Sequence, residues 1–343
     1  MVAEVDSPTS TDFLACVVVT FNRADKLLHS LTMTLKQKVD YIIVIDNAST
    51  DHTQSVLRDL QLIDKRLVVD RQNVNRGGSW GFAYGMRKAD RILGGKGWLL
   101  LFDDDSWPES DCIQRFRSRI KSYRQQEIAL VASSVFASNG IAVEANRPIL
   151  NLFARPFEVL RSTLPHAKSL RDLYHVPYKL LASPGNIVNV DAISFVGLFI
   201  SLASVPISLG RYPRGALFIY SDDTSYTLNL SRMGCRAVLD TDLIFRHDTS
   251  AGGASTRWLK PTWKYYYVIR NSFIVNRLLS GRLYYLLCIA TFTVYFAKGV
   301  LALVLTADMS VLRMVMLGFK DGANSNFSRP HNTIKLLSLK RNS

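Results

Sequence analysis

The chain has 343 residues, of which 48% are hydrophobic and 20% charged, and a net charge of +14. It is long and apolar enough to bury a full core, which excludes a disordered chain. Its four scattered cysteines, Cys16, Cys112, Cys235 and Cys288, argue against a disulfide framework or a Cys-x-x-Cys zinc site and fit a reducing cytosol.

Residues 1–12 are polar and acidic and read as a flexible leader, not a signal peptide. FLACVVVTF is a first strand, followed by a helix over 24–37. YIIVIDNAST is a second strand ending at Asp46, with a helix over 52–60, and RLVVDR is a short third strand. NVNRGGSWGFAYGMRKA is a glycine-rich turn running into a helix, and GWLLLFDDD is a fourth strand. The alternation argues an α/β fold with a doubly wound, largely parallel sheet. A helix over 111–126 and the strand IALVASSVFA follow. Residues 144–186 carry five prolines and suit a binding loop or lid more than long regular elements. VDAISFVGLFIS reads as a strand bordering the site, and DLIFRHD as a short strand ending at His247.

From Trp258 onward, aromatic, basic and apolar residues dominate. Residues 249–343 hold thirteen Lys and Arg against two acids, a net +11, so the positive charge belongs to the C-terminal quarter. The longest apolar stretch, residues 283–297, lies in the same quarter; past Lys298 it resumes to Leu305. Basic residues beside apolar stretches suit an anionic membrane surface. No helix-turn-helix, zinc-finger or ribonucleoprotein pattern supports a nucleic-acid partner. A span needs about 20 apolar residues, and Lys298 sits inside the only candidate, so helices lying in the interface are favoured over a transmembrane helix.

The apolar run Leu99 to Phe102 stops at three adjacent carboxylates, Asp103, Asp104 and Asp105. Ligand sites of open α/β sheets lie beyond such strand ends, and clustered carboxylates need a cation or many donors. Hard divalent cations fit that need and also take diphosphate oxygens. The ends of the first two strands carry Thr20, Asn22, Arg23, Asp46 and Asn47, which suit either a nucleoside or ordinary turns. In Asn75-Arg76-Gly77-Gly78-Ser79-Trp80-Gly81-Phe82, glycines allow close ligand approach before a helix N-terminus, or tight packing. A second acidic pair, Asp222-Asp223, offers a general base or a helix N-cap. His247 taken alone reads more readily as a structural residue than as a metal ligand.

As an ordered set, VVVTFNR, IDNASTD, the glycine segment, FDDD, Asp222-Asp223 and His247 resemble the inverting nucleotide-sugar glycosyltransferases of family 2, with the GT-A fold. The similarity runs from about residue 13 to 248, and more weakly to about 327. The Asn-x-Gly-Gly-x-x-Gly-Phe segment, DDD and the later WKYYYVIRN look most like bacterial galactofuranosyltransferases, with rhamnosyltransferases the near alternative. The resemblance implies a catalytic domain over 13–256 and a helical, membrane-associating region over 257–343. It implies that Thr20, Asn22, Arg23, Asp46, Asn75, Gly77, Gly78 and Asp104 bind the donor. Asp103, Asp105 and His247 would hold Mn²⁺ or Mg²⁺, Asp223 would be the catalytic base, and Asp222 and Trp80 would face the acceptor.

The chain departs from the family at Trp80, where Gly is frequent, and at Ser221, where Trp often precedes the acidic pair. It departs again at Ser225 and Asn229, where an acid and an Arg are usual. The activity implied is transfer of a sugar, UDP-galactofuranose being the favoured donor and dTDP-rhamnose the alternative. The acceptor would be a glycan or lipid-linked glycan in cell-surface polysaccharide synthesis, at the inner face of the cell membrane. Nucleotidyl transfer fits less well, because the first loop, TFNRADK, lacks glycine. A non-catalytic membrane-associated binding protein would be expected to have lost its acidic pairs, and both are intact.

Overall fold

Strand β1 (Leu14–Thr20) is buried along its whole length and sits at the centre of the parallel half of the sheet. Its alternate side chains serve two cores. Ala15, Val17 and Val19 pack with Phe82 and Met86 on one face, while Leu14, Cys16 and Val18 pack with Leu27, Leu31 and Phe116 on the other. The period of two divides any strand in this way, and helices cover both faces. In a computed structural model, the described residues are 12–143, 147–168, 170–248 and 261–339. All of the leader but Asp12, and the domain boundary expected at 256–257, lie outside them.

The remaining elements follow in order: α1 (Ala24–Leu35), β2 (Tyr41–Asp46), α2 (Thr53–Ile63), β3 (Leu67–Arg71), α3 (Gly78–Leu93), β4 (Trp98–Asp103), β5 (Ser106–Pro108), α4 (Cys112–Gln125) and β6 (Ile128–Ala137). Then come α5 (Pro156–Thr163), α6 (Tyr178–Leu181), β7 (Ile187–Asn189), β8 (Leu198–Ser201), α7 (Asp222–Arg232) and β9 (Arg236–His247). Four helices close the described chain: α8 (Lys264–Ser280), α9 (Tyr284–Thr306), α10 (Ser310–Ala323) and α11 (His331–Leu339).

The sheet order is β3-β2-β1-β4-β8-β6-β9-β5, with β7 also paired to β9. The first four strands are parallel, as expected from the sequence. The other half corrects the expectation of a largely parallel sheet. Strand β8 runs antiparallel to both β4 and β6, β6 and β9 are parallel, and β5 and β7 run antiparallel to β9. The strand expected over VDAISFVGLFIS shrinks to Leu198–Ser201. Gly197, at φ 73°, breaks it, and a Cβ there would lie 2.7 Å from the Phe245 ring. The proline-rich stretch is tied within itself by Arg147 to Asp172 at 2.7 Å and to the chain beyond it by Arg155 to Asp191 at 2.5 Å.

The C-terminal helices have their own core, built from Tyr265, Tyr266, Tyr267, Ile269, Ala302, Met314, Val315 and Ile334. Asp321, buried there, receives both Nε and Nη2 of Arg329 (2.6 and 2.9 Å) and the Tyr266 hydroxyl (2.7 Å). Buried charge is tolerated in such a paired, hydrogen-bonded form. The helical stretch through α9 contains a window of mean hydropathy 1.9 with 17% of its residues buried, long and apolar enough by length and composition to cross a membrane. Leu286, Ile289, Val304 and Leu305 are exposed on α9.

His331 stacks on Phe218 at 4.1 Å and meets Trp263 edge-on at 4.8 Å. Burial, with Lys335 nearby, pushes its pKa from 6.5 down to about 4. The unfolded chain therefore takes up this proton at higher pH than the folded one. Its contribution to stability is complete above about pH 6.5 and is lost as pH falls towards 4. The expected result is a Tm that falls less steeply between pH 7 and 4 in His331→Phe than in the parent. Superimposable slopes would show that this imidazole does not titrate on unfolding.

Candidate active site

Three strand ends meet. Thr20 lies beside Asp46 in the β1–β2 register, and Val19 lies beside Asp103 in the β1–β4 register. Thr20 Oγ1 donates to Asp104 Oδ2 at 2.8 Å. Asp46 is fully buried; its Oδ1 accepts the Ser49 N–H at 2.9 Å, while Oδ2 accepts no hydrogen bond and lies 3.7 Å from Arg71 Nε. A buried acceptor without a donor is costly unless something else supplies one. Asn22, at φ 53°, ties its carboxamide oxygen to the Thr50 N–H at 2.7 Å, bracing the loops after β1 and β2 against each other.

Strand β5 turns back on β9 so that Ser106 pairs with His247. This register carries His247 Nε2 to 3.2 Å from Asp105 Oδ1. On the other side, Arg23 Nη1 reaches Asp105 Oδ2 at 2.5 Å and Asp104 Oδ1 at 3.3 Å. Burial, then the charges of Asp105 and Asp104, push Asp103 well above the usual carboxylate range. Burial also raises Asp104, to about 6 in spite of Arg23. Asp105 is held low against its own burial by His247 and Arg23.

The donor set of carboxylates and one imidazole suits a hard divalent cation, and the crowding of negative charge around Asp103 is what such an ion would relieve. Among the described residues no three His, Cys, Asp or Glu side chains converge as a ready set of metal ligands. Here Arg23 and His247 are the partners of the cluster.

The glycine segment splits into two kinds of position. Gly77 has φ 85°, and a Cβ on it would lie 2.2 Å from the Phe218 carbonyl oxygen; at Gly78 a Cβ would meet nothing within 4 Å. Asn75 Oδ1 accepts the Gly77 N–H at 2.8 Å, and Asn47 Nδ2 donates to the Gly77 carbonyl at 3.0 Å. Trp80 is half-buried, stacked on Tyr84 at 4.8 Å and packed against Gly215. Gly77→Ala is expected to lower stability by about 2–5 kcal/mol, combining backbone strain with overpacking. Gly78→Ala should keep the parent Tm and weaken nucleotide-sugar binding, measured by calorimetry; unchanged binding would remove Gly78 from the donor site.

Asp222 and Asp223 are the first two residues of α7, with Ser221 as its N-cap at φ 61°. The N-cap expected of an aspartate thus falls to Ser221. Thr224 N–H donates to Asp223 Oδ1 at 2.6 Å. Burial, reinforced by the charge of Asp223, raises the pKa of Asp222; burial likewise raises Asp223, against its hydrogen bonds from Thr224. The charge of Asp222 also reaches Asp103. The two acidic clusters therefore lie within electrostatic reach of each other.

Residues 15–165 match the family model described as Glycosyl transferase family 2. Among solved structures, the chain is similar to the mannosyltransferase PcManGT from Pyrobaculum calidifontis in complex with GDP-Man and Mn²⁺. The two share 13% identity with a TM-score of 0.51, over 92% of this chain and 89% of that one. It is also similar to GalNAc-T7 with UDP, GalNAc and Mn²⁺, at 12% identity and TM-score 0.51, over 77% of this chain and 51% of that one, about half its length. At these identities the likeness speaks for the fold. No curated protein matches the chain at a significant level. The chain is a glycosyltransferase of the GT-A fold.

The glycosyltransferase has a cavity of about 600 Å³ beside the acidic pair. Ser221 and Thr224 line it on one side, Arg147 and His175 of the proline-rich stretch on another, and Leu287 and Ala290 of α9 on a third. Sequence reasoning did not anticipate this three-way junction. It also missed Arg270 and Asn271, both fully buried against the loop that leads into Asp222. The available signal was two adjacent polar residues directly after the aromatic and apolar run YYYVI.

Proposed function

We propose that the enzyme moves galactofuranose from UDP-galactofuranose onto a glycan or lipid-linked glycan acceptor, with dTDP-rhamnose as the alternative donor. The observation that carries the reading is the presence of two buried acidic clusters within electrostatic reach of each other, one at the end of β4 and one at the head of α7. Two roles follow from two environments. The cluster at Asp103–Asp105, with His247, is suited to a metal–diphosphate. A bound Mn²⁺ or Mg²⁺ there would neutralise charge growing on the departing diphosphate. Support comes from the two similar structures, each described with Mn²⁺ and a nucleotide or nucleotide sugar.

Asp223, with Asp222 beside it, is the base. It takes the proton from an acceptor hydroxyl as that oxygen bonds to the anomeric carbon. The bond to the diphosphate oxygen breaks on the opposite face, and its electron pair leaves with the nucleoside diphosphate. The configuration inverts, with no covalent enzyme intermediate. Thr20, Asn22, Arg23 and Asp46 hold the nucleoside side, where Oδ2 of Asp46 faces Arg71 but accepts no hydrogen bond and is open to one from a nucleobase or ribose. The mainly apolar cavity between α7 and α9 suits an acceptor with a lipid part. A nucleotide-release assay over a panel of UDP- and dTDP-sugars tests the donor. Release of UDP from UDP-galactofuranose alone supports the reading, dTDP release moves it to rhamnose, and a pyrophosphate product would point to nucleotidyl transfer.

The enzyme is read as peripheral to the inner face of the cell membrane, held by the basic, apolar C-terminal helices. Each basic residue near an anionic surface adds about 1 kcal/mol. The chain should therefore co-sediment with anionic vesicles and be released by high salt. Binding indifferent to anionic lipid and salt would remove the electrostatic part. Resistance to both salt and carbonate extraction would make α9 a true span.

A further inference from the structure

Three of the four residues before Asp222 have positive φ, and none is glycine: Phe218 at 67°, Tyr220 at 67° and Ser221 at 61°. The Ile219 N–H donates to the Leu217 carbonyl at 2.8 Å, closing a three-residue turn around Phe218, whose φ and ψ are 67° and −60°. This is the rare, strained form of the γ-turn. Such backbone persists only where its surroundings over-determine it.

Helix α8 supplies the determinants. Asn271 Nδ2 lies 3.1, 2.9 and 2.8 Å from the carbonyl oxygens of Leu217, Ile219 and Tyr220, so its two hydrogens are shared among three acceptors. Arg270 Nη2 donates to the carbonyls of Ala216 and Leu217 at 3.1 and 2.9 Å. Both side chains are wholly buried, and the Arg270 guanidinium lies over the rings of Tyr266, Tyr267 and Phe327. The turn is held from outside this pair as well. The Phe218 ring stacks on Tyr267 and His331, and the Phe218 carbonyl accepts the Ser79 N–H at 3.2 Å, beside Gly77. One strained turn is thus held between the glycine segment and the C-terminal helices, and α7 starts where it ends.

A purely architectural contact would not need two buried polar side chains aimed at five carbonyl contacts of one loop. We propose that Arg270 and Asn271 are positioning residues, which hold the turn over residues 216–221 in its strained shape and so set the Asp223 carboxylate against the donor site. The C-terminal helices are then part of the active site as well as its membrane contact. The inference rests on the reading of Asp223 as the base.

The test compares full-length Asn271→Asp and Arg270→Lys with the parent. UDP binding is titrated by calorimetry to count competent sites, and kcat is expressed per competent site with the donor found active in the release panel. Asn271→Asp is expected to lower kcat per site about 100-fold, the scale of a misplacement near 1 Å, with UDP affinity held within about threefold. Arg270→Lys, which keeps the charge but not the fork, is expected to lose about tenfold. A role in folding alone would lower the number of UDP-binding sites and leave kcat per site unchanged. That result overturns the proposal, as does failure of both variants to yield any UDP-binding protein. Asp223→Asn, run alongside, separates the two readings. If it is inactive while Asn271→Asp turns over normally per site, only the positioning role falls; if it stays active, the base assignment falls.

Discussion

Asp223→Asn is expected to abolish transfer and leave nucleotide binding intact. The substitution keeps the size of the side chain and removes the charge that accepts the proton. General bases contribute about 10²–10⁴-fold, and the loss should fall in kcat, not in the donor KM. The nucleoside contacts expected of Thr20, Asn22 and Asp46 come from the ends of β1 and β2 and the loops after them, not from α7, so UDP affinity should be unchanged. The asparagine can still accept the Thr224 N–H, and the Tm should move little. Turnover within a few-fold of the parent would move the base elsewhere, with Asp222 the next carboxylate to examine.

Removal of metal should have an effect of similar size. EDTA is expected to abolish transfer, and excess Mn²⁺ or Mg²⁺ to restore it. Asp105→Ala should lose most of the activity without that rescue. Asp105 is the residue on which His247 and Arg23 converge, at 3.2 and 2.5 Å. Its loss removes one carboxylate from the cluster and both positioned contacts at once. A metal acting on a departing diphosphate is worth several kcal/mol of transition-state stabilisation, so the expected drop is about 10³-fold or more. Full activity in EDTA would take the metal out of the mechanism and leave His247 as a structural partner of Asp105.

The parallel half of the fold was legible because local pattern and tertiary role coincide there. Strands β1, β2 and β4 are apolar runs stopped by Thr20, Asp46 and Asp103, and adjacency in the sheet follows from the alternation with helices. The same logic failed at VDAISFVGLFIS, where apolar composition resembles a strand but, with Gly197 at positive φ, only the last four residues form one. The antiparallel insertion of β8 and the return of β5 onto β9 join segments distant in sequence, and no local period records them.

In the site, the two acidic clusters were visible as residue runs, but their proximity was not. His247 was a candidate through the family resemblance, and the β5–β9 register that sets it beside Asp105 has no local mark in the sequence. Gly77 was singled out for ligand approach, whereas its immediate reason is the Phe218 carbonyl. The strained turn carries no glycine at Phe218, Tyr220 or Ser221, so the usual sequence mark of positive φ was missing. Its partners, Arg270 and Asn271, lie in WKYYYVIRN, a segment read as a mark of the family and of membrane contact, with no sign of the loop they hold.

The central claim is that two acidic clusters carry out a single, inverting displacement on a nucleotide sugar. The most direct test is a proton NMR time course of turnover with Mn²⁺ and the active donor, reading the anomeric configuration of the first-formed product. The account predicts a product anomer opposite to that of the donor from the first turnover. A first-formed product that keeps the donor's configuration would contradict it.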